Sequence, residues 1–167
     1  MAYREPQPGK SLAKTHPKLA AQADGWDPRT LTRGSKKKVG WKCSLGHKWE
    51  ASVQSRSNGN GCPVCAGQAV QVGFNDLATV NPKLASEADG WDPRTLTRGS
   101  NKKVGWKCSL GHKWVANPLN RSSGKGCPVC SGNKVQVGFN DLATVNPKLA
   151  SEADGWDPRT LTRGSNK

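Results

Sequence analysis

All six cysteines and two of the three histidines in this 167-residue chain fall into two sets with the same spacing. One is Cys43-x3-His47-x14-Cys62-x2-Cys65, and the other is Cys108-x3-His112-x14-Cys127-x2-Cys130. Each set offers three thiols and one imidazole in two close pairs. A pair separated by two or three residues can grip one ion from a tight turn, and the intervening loop brings the two pairs together. Three thiolates and one imidazole suit tetrahedral Zn2+ with no position left for water, which makes the site structural rather than catalytic. The sequence thus predicts two Zn2+ ions. Two rival chemistries are weaker. Cys62-Pro63-Val64-Cys65 alone could be a redox pair, but no thioredoxin-like βαβ pattern surrounds it. An iron–sulfur cluster with one histidine ligand is the other rival. The remaining histidine, His16, has Asn81 and Asn146 as its repeat equivalents. Asparagine does not replace a zinc ligand, so His16 reads as an N-cap or surface residue.

The spacing belongs to a larger repeat of 65 residues. Residues 70–102 and 135–167 are identical at all 33 positions, and residues 23–49 differ from 88–114 only at Lys36 and Asn101. The expected organisation is a tail at 1–10, a zinc repeat at 11–70, a second at 71–135, and a third at 136–167 without zinc ligands. The third copy reads either as part of a longer array, the favoured reading, or as a cap or frayed tail.

The elements that must position the ligands can be read from the second copy. Asp76 is placed to N-cap a helical turn beginning at Leu77. Asn81-Pro82 reads as an N-cap followed by proline at the first helical position, opening a short helix that runs to Ala88 and ends at Asp89-Gly90. Val104–Cys108 and Lys113–Ala116 flank a tight Ser109-Leu110-Gly111 turn and read as a β-hairpin. If Cys108 faces His112, Trp106 must face Trp114 and Val104 must face Ala116. Alternation then puts both ligands and both tryptophans on one face. Trp41 and Trp49 are the equivalent pair in the first copy. A cross-strand tryptophan pair beside a metal ion makes a compact core for a small unit. Pro118 stands where the first copy has Val53, so the second strand should end earlier in copy two. Trp26, Trp91 and Trp156, in the Asp-Gly-Trp-Asp-Pro turn, read as core rather than base-stacking residues. The fold class is a small zinc-stabilised α+β repeat, a β-hairpin zinc knuckle with short helices, in tandem.

Composition explains why metal is needed. Val, Leu and Phe together number 26, there is no isoleucine, and the formal net charge is +14. So few aliphatics with so much charge ordinarily indicates disorder. Seven tryptophans and the ligand sets argue otherwise, leaving disorder expected mainly at residues 1–10 and 151–167. The opening residues have no apolar signal-peptide core, and no stretch is long and apolar enough to cross a membrane. A cytoplasmic, reducing location follows as the expectation, and it favours metal-bound thiolates over disulfides.

Positive charge follows the zinc-binding halves: residues 1–65 carry 12 basic and 4 acidic side chains, and residues 131–167 carry 5 and 4. Lys42 and Lys48 alternate with Trp41, Cys43, His47 and Trp49 and should project away from the metal, as should Lys107 and Lys113. With Lys37, Lys38, Lys102 and Lys103 they form a candidate phosphate-contacting surface; a merely solvating face is the bland alternative. Arg56 and Arg121 precede glycine-rich loops. They could make bidentate phosphate contacts, or equally bond backbone carbonyls of the loop.

Trp41-Lys42-Cys43-Ser44-Leu45-Gly46-His47-Lys48-Trp49 with Gly61-Cys62-Pro63-Val64-Cys65 resembles the bacterial tandem treble-clef zinc finger (zinc-ribbon) repeat family. So do Gly73–Thr79, Pro82-Lys83-Leu84-Ala85 and Gly99–Lys103. The resemblance covers residues 11–167. It implies Cys43, His47, Cys62 and Cys65 as one ligand set, and Cys108, His112, Cys127 and Cys130 as the other. It further implies nucleic-acid binding, sometimes in arrays beside endonuclease-like domains. The chain therefore reads as a non-catalytic zinc repeat protein that binds nucleic acid, DNA first, as the recognition part of a DNA-modifying or defence protein. A nuclease or other protein partner fits that reading; a membrane or a small-molecule substrate does not. No Ser-His-Asp set, phosphate-binding loop or carboxylate pair suggests catalysis. The competing reading is a protein-interaction scaffold of rigid zinc modules.

Overall fold

The structure, a computed structural model, describes residues 6–165. It divides into two compact units, Met1–Ala69 and Val70–Lys167. Among the described residues neither unit holds a large aliphatic core, and each is built from one-turn helices around a two-stranded hairpin.

In the first unit, α1 (Leu12–Thr15) and α2 (Pro17–Ala20) precede β1 (Lys38–Lys42), β2 (Lys48–Ser52) and α3 (Val53–Ser57). The second unit repeats this order as α4 (Leu77–Val80), α5 (Pro82–Ala85), β3 (Val104–Lys107), β4 (Lys113–Ala116) and α6 (Pro118–Ser122). It then adds α7 (Leu142–Val145) and α8 (Pro147–Ala150) from the third copy. Isolated helices this short do not survive on propensity; caps and burial hold them. Asp76 Oδ1 accepts from the Thr79 amide at 3.0 Å, and Asn81 Oδ1 accepts from the Leu84 amide at 3.1 Å. The first copy lacks both bonds: Ser11 and His16 occupy the N-cap positions without a side-chain cap. His16 Nδ1 meets Thr15 Oγ1 instead, at 2.9 Å.

The hairpins have the register that the ligand pairing demands. Trp41 faces Trp49, Trp106 faces Trp114, and Val104 faces Ala116. The Cys108 amide donates to the His112 carbonyl at 3.1 Å, closing the turn. β4 is one residue shorter than β2: in the first unit the Val53 amide donates to the Lys37 carbonyl at 3.3 Å, and Pro118, at the equivalent place, has no N–H to extend the pairing.

Two features depart from the sequence expectation. The helix expected to reach Ala88 ends at Ala85. The chain then extends and pairs with the outer edge of β3, with Ala88 bridged to Trp106. The Asp89 amide donates to the Gly105 carbonyl at 3.1 Å and the Lys107 amide donates to the Glu87 carbonyl at 2.8 Å. Main-chain bonds to an existing strand edge outweigh another half-turn of helix. The second departure is α3 and α6, one-turn helices that the sequence reading missed. Ser52 Oγ accepts from the Ser55 amide at 3.1 Å, and Asn117 Oδ1 from the Asn120 amide at 2.8 Å.

The cores are small and centred on tryptophan. Leu12, Leu31, Val39, Trp41 and Val53 form the first; Leu77, Leu84, Ala85 and Trp106 form the second. Trp41 and Trp106 are completely buried. Trp26 meets Trp41 edge to face at 5.2 Å between ring centroids, and Trp91 meets Trp106 likewise at 5.3 Å. The core role read for Trp26 and Trp91 therefore stands. Trp156 is different, being 43% exposed.

Residues 151–165 were expected to lack order. They follow the same turn and 3-10 course (Pro158–Thr160) as their counterparts in copy two (Pro93–Thr95). The reason is packing: the Leu142 amide bonds the Leu161 carbonyl at 2.8 Å, and Asp141 and Leu142 are buried. Residues 1–5 and 166–167, also within the segments expected to be disordered, lie outside the described residues.

Candidate metal centres

Each ligand set arrives from two directions. The hairpin turn supplies Cys43 and His47, since Gly46 in the left-handed region (φ 84°) lets the chain reverse within three residues. The turn after α3 supplies Cys62 and Cys65. The four ligand atoms lie within 4.8 Å of one another in both units. In the first, Cys43 Sγ is 3.8 Å from Cys65 Sγ. His47 Nδ1 is 3.5 Å from Cys43 Sγ, 3.2 Å from Cys65 Sγ and 3.7 Å from Cys62 Sγ. The second unit repeats the same four distances at Cys108, His112, Cys127 and Cys130.

These separations can be tested against the ion. Zn–S bonds of about 2.3 Å and Zn–N bonds of about 2.05 Å at tetrahedral angles place sulfurs about 3.8 Å apart and nitrogen about 3.6 Å from sulfur. The clusters match. A disulfide, with its sulfurs about 2.05 Å apart, does not, and all six cysteines are free thiols. The donor chemistry agrees. Desolvation pushes the Cys43 thiol up, but hydrogen bonds from the Leu45 and His47 amides outweigh it and leave the group below its ordinary value. Cys65 is pushed up to about 11 by desolvation and then by the neighbouring Cys62 and Cys43 thiols. Cys108 and Cys130 behave in the same way. Without a cation, crowding forbids three thiolates at one point; a dication resolves the conflict by displacing the protons. Both sites fit a structural Zn2+ ion held by three cysteines and one histidine.

The family model described as "probable treble clef zinc finger domain" matches residues 20–68 and 85–133. The chain belongs to this treble-clef zinc finger family. No curated protein sequence matches it. Each matched segment runs from the end of a helix pair through the hairpin and both knuckles, so each holds one complete ligand set. The two segments are called finger 1 and finger 2 below.

The basic residues separate into three groups. Lys37, Lys38, Lys42, Lys102, Lys103 and Lys107 are exposed. Lys48 and Lys113 are exposed too, but bind Asp24 at 3.0 Å and Asp89 at 3.1 Å. Each sits directly across the hairpin from another lysine, Lys42 or Lys107; like charges so placed repel, and the aspartate offsets this. Arg56 and Arg121 do not belong to the candidate surface and are withdrawn from it. Both are buried, and each guanidinium lies about equidistant from two indoles: Arg56 at 5.2 Å from Trp41 and 5.1 Å from Trp49, Arg121 at 5.2 Å from Trp106 and 5.0 Å from Trp114. Arg121 Nη1 donates to the Lys125 carbonyl at 2.6 Å and Nη2 pairs with Glu87. Arg56 bonds the Asn60 carbonyl and Gln22 correspondingly. The arginines thus tie the loop that carries the second cysteine pair to the tryptophan face of the hairpin. A guanidinium stacks on indole and donates in plane simultaneously, which an ammonium cannot do.

A further element of the site was invisible in the sequence. The third copy closes over the finger 2 metal site. The Phe139 ring meets the His112 ring edge to face at 4.4 Å. Asn140 Nδ2 donates to the carbonyls of Val129, at 2.7 Å, and Lys134, at 2.9 Å. Thr162 Oγ1 donates to the Gly132 carbonyl at 3.0 Å.

Proposed function

We propose that the chain is a non-catalytic nucleic-acid-binding protein that contacts duplex phosphates through the lysine faces of its two hairpins. The observation that carries this reading is the separation of charge from metal. On each hairpin lysines stand at alternate positions facing away from the tryptophan core: Lys38, Lys42 and Lys48 in finger 1, which share that face with Gly40 and Glu50, and Lys103, Lys107 and Lys113 in finger 2, which share it with Gly105 and Val115. The zinc site keeps those strands rigid, so the lysines present charge without paying much ordering entropy on binding. Six thiolates and two Zn2+ ions take the formal charge from +14 to about +12, so the loaded protein stays strongly basic. All eight metal ligands are committed to closed sites, which leaves no open coordination position for catalysis. Among the described residues no helix is long and apolar enough to cross a membrane, and a reducing, cytoplasmic setting suits the free thiols.

Fluorescence anisotropy with a short DNA duplex, the matching single strand and an RNA, each across a salt series, tests the reading. Six hairpin lysines, two of them already paired with aspartate, correspond to about four released counterions and a log–log salt slope of about −3 to −4. Lys42→Glu with Lys107→Glu should flatten the slope by about 2 without changing the zinc content. Absence of binding at low salt overturns the proposal. Leu45 and Leu110, exposed at the knuckle tips, favour the scaffold reading, and salt-insensitive capture of one protein partner through those tips would establish it instead.

A further inference from the structure

The finger 2 ligands come from two segments, and both segments touch one further piece of chain. The hairpin brings Cys108 and His112, and the turn after α6 brings Cys127 and Cys130. Along the chain they are joined only by β4, α6 and a glycine-containing loop. Residues 136–162, beyond the matched segment 85–133, bridge them in space. On the hairpin side the Phe139 ring stands edge to face against His112, whose Nδ1 looks at the three sulfurs from 3.2 to 3.7 Å. On the other side Asn140 Nδ2 holds the Val129 carbonyl, between the two cysteines, and the Lys134 carbonyl, while Thr162 Oγ1 holds the Gly132 carbonyl. These groups form one body. Asp141, fully buried, accepts from the Gly138 amide at 2.6 Å, the Thr144 amide at 3.0 Å and the Thr144 hydroxyl at 2.7 Å, which fixes the turn carrying Phe139 and Asn140. Asn140 Oδ1 accepts from the Gln136 amide at 2.7 Å, which aims its Nδ2. Asp141 is bridged to Thr162, and the Leu142 amide bonds the Leu161 carbonyl. Cys130, the exposed ligand of the four, borders a cavity of about 410 Å3 together with Phe139, Asn140 and Thr162. The thiol that a chelator meets first therefore lies at this junction.

We propose that residues 136–162 are a positioning clamp for the finger 2 metal centre, with Phe139, Asn140 and Thr162 as its contact residues. The clamp holds the His112 ring and the turn bearing Cys127 and Cys130 at the separation the ion requires. Groups that orient metal ligands without touching the metal typically change its retention by ten- to a hundredfold. Metal at finger 2 is thus kept partly by residues that the finger itself does not contain. Coupling of this kind is reciprocal, so metal at finger 2 also keeps the clamp folded. Simple packing of the third copy on finger 2 is the competing account, and it leaves metal release unchanged.

The test uses the whole metal-loaded chain and times release to a chromophoric chelator. Cadmium-113 NMR, each resonance assigned through coupling to cysteine β-protons, follows the two sites separately. Phe139→Ala with Asn140→Ala should speed release from finger 2 by about tenfold or more and leave finger 1 unchanged. Thr162→Val keeps the side chain's shape but loses the bond to Gly132, and should speed release by about threefold. Phe139→Tyr keeps the ring and should release metal at the parent rate. Slow amide exchange at Lys107 in the loaded variants, whose bond to the Glu87 carbonyl lies within finger 2, should show that the finger itself stays folded. Conversely, Cys108→Ser with Cys127→Ser strips finger 2 alone and should speed exchange of the Leu142 amide by about tenfold or more. Release from finger 2 within about twofold of the parent in the Phe139→Ala, Asn140→Ala chain overturns the proposal, as does unchanged Leu142 exchange in the stripped chain. Faster release together with fast Lys107 exchange in the loaded chain also overturns it, because those residues would then act on the fold of the finger rather than on its metal.

Discussion

Gly40 and Gly105 offer the sharpest perturbation of the fold, because each is the point where an extended segment presses on a hairpin. An added Cβ would stand 2.5 Å from the carbonyl oxygen of Asp24 or Asp89, about 0.9 Å inside ordinary contact. The obstacle is backbone, so it cannot rotate away. The segment must retreat, and three bonds go with it. In finger 2 these are Asp89 amide to Gly105 carbonyl at 3.1 Å, Lys107 amide to Glu87 carbonyl at 2.8 Å, and Trp91 Nε1 to Gly105 carbonyl at 2.7 Å. Finger 1 has the same three at 3.0, 2.8 and 2.7 Å. At about 1 kcal/mol each, Gly40→Ala with Gly105→Ala should cost each unit about 3 kcal/mol. For units of this size that lowers the melting temperature by roughly 15 °C. The control is Gly34→Ala with Gly99→Ala, where a Cβ meets nothing within 4 Å and φ is not positive; it should be neutral or stabilising by about 0.4–1 kcal/mol. Thermal melts of the zinc-saturated proteins, followed by tryptophan near-UV circular dichroism, compare the pairs. Melting of the Gly40/Gly105 variant within two degrees or so of the control would refute the close-approach argument.

Other outcomes follow from the same contacts. Arg121→Lys keeps the charge but loses indole stacking and the fork to Lys125 and Glu87, so it should destabilise finger 2 by about 2 kcal/mol; urea unfolding measures this, and salt-dependent DNA binding at matched folding should not change. His16→Asn should supply the cap that Asn81 makes in copy two and stabilise the first unit by about 0.5–1 kcal/mol in the same assay. The Thr79 and Thr144 side chains and nearby amides hold the Asp76 and Asp141 carboxyls below their ordinary values. A depressed folded-state value gives stability that is complete above about pH 4 and is lost as pH falls further. Protons compete with zinc for the thiolates at higher pH than that. Asp76→Asn should therefore lower stability at pH 7 yet leave the midpoint of acid-induced zinc release unmoved, as read with a colorimetric zinc indicator.

The ligand sets, the strand register and most caps were legible because each rests on a short-range rule. Requiring Cys108 to face His112 fixes every other pair in the hairpin through alternation alone. What sequence could not reveal depends on neighbours distant along the chain. Glu87-Ala88-Asp89 has helical composition, and only the vacant edge of β3 makes it extended. Arg121 looks like any exposed arginine until two tryptophans enclose it. One-turn helices such as α3 and α6 are too short to show a period, although Asn117-Pro118 carried their signal. Phe139 gave no hint that it would cover a zinc ligand of the preceding copy. The shortage of aliphatic residues, by contrast, was a true statement about the core: Trp41 and Trp106 are its largest members, and the metal replaces the remainder.

That replacement is most directly tested by metal content measured together with fold. Native mass spectrometry of the purified chain should show two zinc ions, and X-ray absorption should show three sulfurs and one nitrogen around each. Chelation should abolish the near-UV signal of the buried tryptophans, and zinc should restore it. A chain that carries no zinc, or that keeps the tryptophan signal after complete metal removal, would contradict the account.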